Sequence, residues 1–578
     1  MMRFTWKIGG EAGFGIMTTG LVFSKIATRL GFHIFDYVKY PSLIRGGHNT
    51  YEACVSDEPV HQLKYSVDIL ICLNKETFDK NKTFLNSESV VIYDQDEFVL
   101  ESGDFKVVNV PFGQILQKYK GQVVMKNTIA LGASFAITGA EITELEKIIR
   151  EQFERKGQAV VDFNLNFAKE GYNYVKQNYN QLIKTYFSSA QVVSEEKKKL
   201  VLTGNDAFAY SSVAADCRMY VAYPMTPSSS VLTTLATWQN KTGMVVRHAE
   251  DEISVINTAI GSSFAGVRSA VGTSGGGFAL MVETVSLAGV TEIPLVIFIS
   301  QRPGPATGMP TWTEQGDLLF TVNAGHGEFP KIVLAPGDQE EMLELTLKAY
   351  NLADVYQLPV IVMSDMLLSE SHKSVVKVFV DDLFAKYKMD KGKSTNQVQK
   401  EKYLRYKLTE DGISERLIPG TPGSYYQANS YEHLEDGHTS EESKDRVEQV
   451  NKRSKKNTSY LLKDFVGPKV FGDLEKAKTV FVSWGSNKGA ITEAQKMLIE
   501  KGVETAFIHF THLYPMNKDL ILPLFKNDKK YILVENNATG QFGKLLRQET
   551  GINLEDKILK YDGRPIWPEE IVKYVNNQ

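Results

Sequence analysis

Residues 247–277 read RHAEDEISVINTAIGSSFAGVRSAVGTSGGG. Three carboxylates, Glu250, Asp251 and Glu252, open a stretch in which Ile253, Ile256, Ala259 and Ile260 recur at helical spacing. Acidic residues in a first helical turn are favourable against the helix dipole, which accounts for two of the three. The dipole does not account for the small residues behind them: Ala259, Gly261, Ser262, Ser263, Ala265 and Gly266. Small side chains let a helix come close to another backbone or to a flat ring. The strand that follows, RSAVGTS, runs into Gly275, Gly276 and Gly277, which permits a backbone turn beside a ligand. Helix, strand and glycine turn in this order suit an α/β unit.

Just upstream, residues 222–230 read AYPMTPSSS. Proline fixes its own φ and biases the preceding residue toward extended geometry, which makes Tyr223 and Thr226 extended. The run MYVAY (219–223) reads as a buried strand and SSVLTTLATW (229–238) as a helix, so the motif is a stiff strand-to-helix turn rich in hydroxyls.

The chain has 578 residues, too many for one core and enough for three or four units. Hydrophobic content of 43% and charged content of 23% are those of an ordinary globular protein. A net charge of -4, with lysines interleaved among acids, gives no case for nucleic acid. The longest apolar runs, such as IPLVIFI (293–299), fall far short of a membrane span. The stretch MMRFTWKIGGEAGFG reaches glycines before a signal-peptide core develops, so a cytoplasmic protein is expected. Cys54, Cys72 and Cys217 are widely spaced; they fit neither a disulfide framework nor a metal site and are too few for an iron–sulfur cluster.

Along the chain, residues 1–190 alternate strand and helix signals as a parallel α/β domain, with FTWKIGG, HIFDYVKY, NTYEACVS, VDILICL and SVVIYDQ as strands. Residues 174–199 are polar and end in a charge run, which reads as a helix passing into a linker. A second α/β unit covers 199–370, and a third, 471–578, restarts the alternation with AKTVFVSWGS, ITEAQKMLIEKG, ETAFIHF and KKYILVEN. Residues 371–470 are charged and poor in apolar periodicity, which points to a charged linker or insertion, with His433 and His438 solvated.

Glu252, Gly261 nine residues on, and a strand ending in T-S-G-G-G resemble the pyrimidine-type domain of thiamine-diphosphate enzymes. In that family one glutamate hydrogen-bonds the aminopyrimidine ring and favours the imino tautomer, and the spacing to Gly261 places Glu252, not Glu250 or Asp251, at that position. Together with YPMTPSSS, QRPGPATGMPTWTEQGD (301–317) and VENNATGQFGKLLRQETG (534–551), the pattern is similar to the alpha subunit of 2-oxoacid:ferredoxin oxidoreductases. The N-terminal GGEAGFGI and YPSLIRGGHNTYEACVSDEP resemble the family's gamma domain, fused ahead of alpha as in 2-oxoglutarate-type members. The implied architecture is a multi-domain α/β chain: a gamma-type domain, a pyrimidine-type thiamine-diphosphate-binding domain and a transketolase C-terminal-like domain.

The resemblance implies roles residue by residue. Glu252 is the catalytic carboxylate and, with Thr226, Ser274 and Gly275, binds the cofactor. Tyr223, Thr226, Arg302 and Thr311 face the 2-oxoacid, and proline stiffness places the Thr226 hydroxyl in advance. A guanidinium binds a carboxylate bidentately, which makes Arg302, at the end of the strand VIFIS, the clamp. Lys39, Arg45 and His48, around Gly46–Gly47, are the coenzyme A contacts, where a solvated loop is the alternative. GGEAGFGIMTTG is not a proper GxGxxG, so a dinucleotide reading is weak.

The chain lacks a GDG…NN motif for diphosphate and Mg2+; Asn536–Asn537 has no upstream GDG at a suitable spacing. The resemblance therefore implies half an active site, no metal held by this chain, and a beta subunit that carries the diphosphate site with Mg2+ and a [4Fe-4S] cluster. It also implies ferredoxin as electron partner, coenzyme A as co-substrate and an (alpha-beta)2 assembly. The expected reaction is coenzyme-A-dependent oxidative decarboxylation of a 2-oxoacid, foremost 2-oxoglutarate to succinyl-CoA, or its reverse. Pyruvate, branched-chain or aryl 2-oxoacids, and a non-catalytic scaffold, stay open as alternatives.

Overall fold

The computed structural model describes residues 2–42, 46–187, 194–397, 402–423 and 425–577. They form two units: Met1–Leu202 with Glu370–Asp381 and Trp567–Lys573, and Thr203–Ser369 with Asp382–Ile566 and Tyr574–Gln578.

The first unit holds an eight-stranded sheet. Its spatial order is Lys106–Asn109, Val90–Tyr93, Ile69–Cys72, Arg3–Glu11, His48–Ser56, His33–Lys39, Lys373–Val376 and Lys199–Leu202. The first four strands are parallel, but His48–Ser56 runs antiparallel to both of its neighbours. The expected all-parallel domain is therefore corrected to a mixed sheet. The link between His33–Lys39 and His48–Ser56 is too short for a crossover helix, so the strands must pair as a hairpin. One face is covered by helices Ile16–Arg29, Lys126–Ile137, Ile142–Phe153 and Gln158–Asn178 over a core that includes Trp6, Phe23, Ile71 and Phe135. Within 174–199 the helix Gln158–Asn178 ends and passes into a connecting stretch, as expected. All three cysteines are buried.

The second unit has two main sheets. One runs His512–Tyr514, Ile332–Leu334, Pro359–Asp365, Leu295–Gln301, Ser269–Thr273, Met219–Ala222, Val245–His248, parallel except at its first pair. The central strands LVIFISQ and PVIVMSD are buried at every position, as parallel strands covered on both faces should be. The other runs Lys469–Phe471, Thr505–Phe510, Thr479–Trp484, Lys530–Glu535, Asp556–Leu559. Because His512–Tyr514 pairs with Ile332–Leu334, the 471–578 stretch adds a strand to the larger sheet of this same unit.

Residues 371–470 also need correction. Lys373–Val376 is a sheet strand of the first unit, and Ser443–Lys463 is a 21-residue helix of the second. That helix buries Gln449, Lys452, Arg453, Lys456 and Tyr460, a stripe at helical spacing whose inner face is mostly charged. Glu292 receives it: its carboxylate meets Lys452 at 2.5 Å and Lys456 at 2.6 Å, and its carbonyl accepts from Arg405 at 2.8 Å. His433, expected in solvent, is 1% exposed and packed on the Tyr406 ring; His438 is exposed.

Candidate active site

The site gathers at the C-terminal ends of the strands Met219–Ala222, Ser269–Thr273 and Leu295–Gln301, where ligands bind in open α/β sheets. Helix Glu252–Phe264 begins at Glu252, and Asp251 is its N-cap, its carboxylate accepting from the Ser254 N–H at 2.7 Å. The three acids therefore divide their labour: Glu250 stays exposed, Asp251 caps, and Glu252 turns inward and is 3% exposed. Its Oε1 is buried with no hydrogen-bond partner. A Cβ on Gly277 would lie 2.5 Å from that oxygen and 2.1 Å from Thr273 Oγ1, so only glycine leaves the carboxylate its place. Gly261 faces open space instead, so the close approach expected there is not made within the chain.

The Tyr223–Ser230 loop is anchored from three sides. Asn205 donates to the Pro227 carbonyl and to Ser230 Oγ, each at 2.7 Å. Ser228 Oγ donates to the Met225 carbonyl at 2.8 Å, and Thr273 Oγ1 reaches Met225 Sδ at 3.9 Å. Arg302 Nη1 donates to the Thr226 carbonyl at 2.7 Å. Ser228 and Ser230 are thus structural, which answers in part why the loop is so rich in hydroxyls. Tyr223 is 39% exposed beside His248.

Thr226, Glu252, Ser274, Gly275 and Arg302 are brought to this one end of the sheet. Ser274 Oγ and Thr311 Oγ1 are, like Glu252 Oε1, buried without a hydrogen-bond partner. Among the described residues these three polar atoms are left open and available to a polar ligand. Burial draws the Arg302 pKa down from its ordinary value, opposed by the nearby Asp317 carboxylate.

The coenzyme A candidates belong to the other unit. Lys39 Nζ lies over the Tyr37 and Trp567 rings at 5.6 and 5.9 Å. Burial lowers the His48 pKa to about 4, and both of its ring nitrogens are buried without partners. Arg45 lies outside the described residues.

Two acids escaped the sequence reading although they sit in the quoted 301–317 stretch. Burial raises Glu314 to about 7 and Asp317 to about 6. Asp317 is pressed against Gly275, whose Cβ would fall 2.2 Å from its Oδ2. An acid fifteen residues beyond an arginine, facing a Gly-Gly-Gly turn, was the available signal. Asn536 and Asn537 prove to be a staple: Asn536 N–H donates to Gln315 Oε1 at 3.1 Å and Asn537 Nδ2 to the Gln315 carbonyl at 3.1 Å.

The family model described as pyruvate flavodoxin/ferredoxin oxidoreductase, thiamine diP-binding, matches residues 210–452, and that described as pyruvate ferredoxin/flavodoxin oxidoreductase matches 5–174. The 2-oxoacid:ferredoxin oxidoreductase subunit alpha of Saccharolobus solfataricus is 32% identical over 99% of this chain and 97% of its own length. The chain belongs to the alpha subunits of 2-oxoacid:ferredoxin oxidoreductases. The 2-oxoglutarate oxidoreductase subunit KorA of Mycobacterium tuberculosis is 27% identical over 98% of this chain and 90% of its own length. The solved 2-oxoglutarate:ferredoxin oxidoreductase from Magnetococcus marinus, with 2-oxoglutarate, coenzyme A and succinyl-CoA bound, superposes with a TM-score of 0.90 at 29% identity, covering 100% of this chain and 99% of that one. As an alpha subunit of such an oxidoreductase, the chain works with other subunits. Among the described residues no helix is long and apolar enough to cross a membrane.

Proposed function

We propose that this alpha subunit supplies the aminopyrimidine half of a thiamine-diphosphate site and the clamp for a 2-oxoacid, with 2-oxoglutarate as substrate and succinyl-CoA as product, or the reverse. The observation that carries the reading is Glu252, a buried carboxylate with an unpartnered oxygen opposite a position only glycine can occupy. The residues present fit the cofactor: the orphaned Glu252 Oε1 and Ser274 Oγ are the polar atoms an aminopyrimidine ring needs, and Gly275 and Gly277 keep the space clear. When bound, thiamine diphosphate supplies the nucleophilic carbon and the electron sink for decarboxylation.

Glu252 holds a proton at the pyrimidine ring nitrogen and so selects the imino tautomer. Arg302, pinned by the Thr226 carbonyl, offers its remaining N–H groups to the substrate carboxylate. Thr226, Thr311 and Tyr223 line the substrate's path. Lys39, Arg45 and His48 meet coenzyme A. The diphosphate, its Mg2+ and a [4Fe-4S] cluster that passes electrons singly to ferredoxin are held by a beta subunit in an (alpha-beta)2 assembly. The choice of 2-oxoglutarate is supported by the gamma-type domain fused ahead of alpha and by the relatives named for that substrate.

The test is anaerobic co-expression with the beta subunit and reduction of a low-potential dye. Coenzyme-A-dependent reduction with 2-oxoglutarate, well above that with pyruvate or 2-oxoisovalerate and abolished by Glu252→Ala, is expected. No turnover with any 2-oxoacid, from a complex that holds its cluster, would contradict the reading.

A further inference from the structure

Thr311, Thr313 and Gln315 are buried, while Trp312 and Glu314 between them are partly exposed. This alternation turns the three side chains to one side of the chain, as in an extended segment. Thr311 carries an unpartnered hydroxyl, and the two residues behind it are held by one turn, 485–487. Asn487 Nδ2 donates to Gln315 Oε1 at 2.7 Å, and Gln315 Nε2 donates to the Trp484 carbonyl at 3.1 Å. Ser486 Oγ donates to Asp365 Oδ2 at 2.6 Å, and Asp365 Oδ1 accepts from Thr313 Oγ1 at 3.3 Å. A second turn takes the same glutamine from another side. The Gln315 N–H donates to the Asn536 carbonyl at 2.7 Å, and the Asn536 N–H returns to Gln315 Oε1 at 3.1 Å. The place is cut to fit: Gly485 has a φ of 62°, and a Cβ there would fall 2.7 Å from Gln315 Nε2. Residues 304–309 of the same loop are exposed, so the chain on the far side of Thr311 is the braced one.

We propose that Gln315 is a positioning residue: its carboxamide, locked between the two turns, fixes Thr311 in advance where the hydroxyl meets the 2-oxoacid. The inference rests on the reading of Thr311 as a substrate contact. A hydroxyl already in place binds without an ordering cost, whereas one on a loose segment must be ordered by the substrate. Removing the carboxamide leaves the main-chain bond to the Asn536 carbonyl and takes away the hold on the side chain. Because Gln315 acts through Thr311, its loss costs no more than loss of the Thr311 hydroxyl itself. Arg302 has its own anchor in the Thr226 carbonyl at 2.7 Å and does not depend on this brace.

The experiment is a double-mutant cycle on KM and kcat for 2-oxoglutarate, in the alpha–beta complex at saturating coenzyme A. It compares wild type, Thr311→Val, Gln315→Met and the pair. Methionine keeps the length of the side chain and loses the carboxamide. Each single variant is expected to raise KM roughly threefold to tenfold, with kcat per folded complex within about twofold. The pair is expected to match Thr311→Val alone, because the glutamine then has nothing left to position. Increases in KM that multiply in the pair overturn the proposal. So does a Gln315→Met complex that melts lower and keeps the wild-type KM, the result a merely structural glutamine gives. If Gln315→Met does not fold, Asn487→Ala removes a single strut and takes its place in the cycle, with the same pattern expected. A Thr311→Val complex with the wild-type KM overturns the reading of Thr311 and this inference together. A raised KM in Thr311→Val beside an unchanged KM in the Gln315 or Asn487 variant overturns the inference alone.

Discussion

Glu252 and Glu292 stand one helix apart in the same unit, Glu252 opening Glu252–Phe264 and Glu292 following Gly275–Thr291, and each is almost wholly buried. Glu292 meets two ammonium groups at 2.5 and 2.6 Å. Although burial opposes it, those lysines and Arg405 hold its carboxyl well below the usual carboxylate range. Among the described residues Glu252 Oε1 has no partner. Burial is shared by the two acids; their partners differ. A buried charge surrounded by opposite charges fixes one element on another. The open oxygen of Glu252 is what the proposed cofactor contact requires.

The contrast can be broken most sharply at the two acids themselves. Glu252→Gln is expected to cut turnover by about 10²- to 10⁴-fold while leaving the thermal midpoint of the complex nearly unchanged. Glu292→Gln should do the opposite. It strands Lys452 and Lys456, costs about 3–5 kcal/mol in chemical denaturation, and leaves kcat per folded molecule intact. If both variants lose stability alike, the distinction fails.

Arg302→Lys sharpens the comparison on the functional side. Lysine keeps the charge but loses the fork, so KM for 2-oxoglutarate should rise by about 10- to 100-fold while the fold is untouched. Thr311→Val is a smaller and more diagnostic change. Removing an unpaired buried hydroxyl should stabilise the free chain slightly and raise KM by roughly threefold to tenfold, the weight of one hydrogen bond. Stability and affinity moving in opposite directions would mark the hydroxyl as kept for a ligand.

Many strands were legible because they are plain apolar runs: MYVAY, ETAFIHF and KKYILVEN each became a strand where expected. The candidate site was suggested where chemistry and glycine coincide, at Glu252 ahead of Gly277 and at Arg302 after a buried strand, and the structure brings both to the same end of the sheet. Residues 371–470 were not legible, because half of the buried face of Ser443–Lys463 is the charged trio Lys452, Arg453 and Lys456. Such a stripe looks solvated until its counter-ions, Glu292 and Glu432, are found far away in the chain. The direction of the N-terminal strands escaped for a related reason. Strand pairing is set by the length of the connection, and apolar content alone says nothing of it. Asp317 escaped because its partner is a missing side chain, the hydrogen of Gly275, which no acid-counting would find.

The measurement that bears most directly on the central claim is exchange of the thiazolium C2 proton of thiamine diphosphate bound to the alpha–beta complex, followed by NMR after acid quench. With Glu252 as the proton partner of the pyrimidine ring, exchange should be fast in wild type and slower by about 10²-fold or more in Glu252→Gln, with the cofactor still bound. Equal exchange rates in the two complexes would contradict the assignment of Glu252.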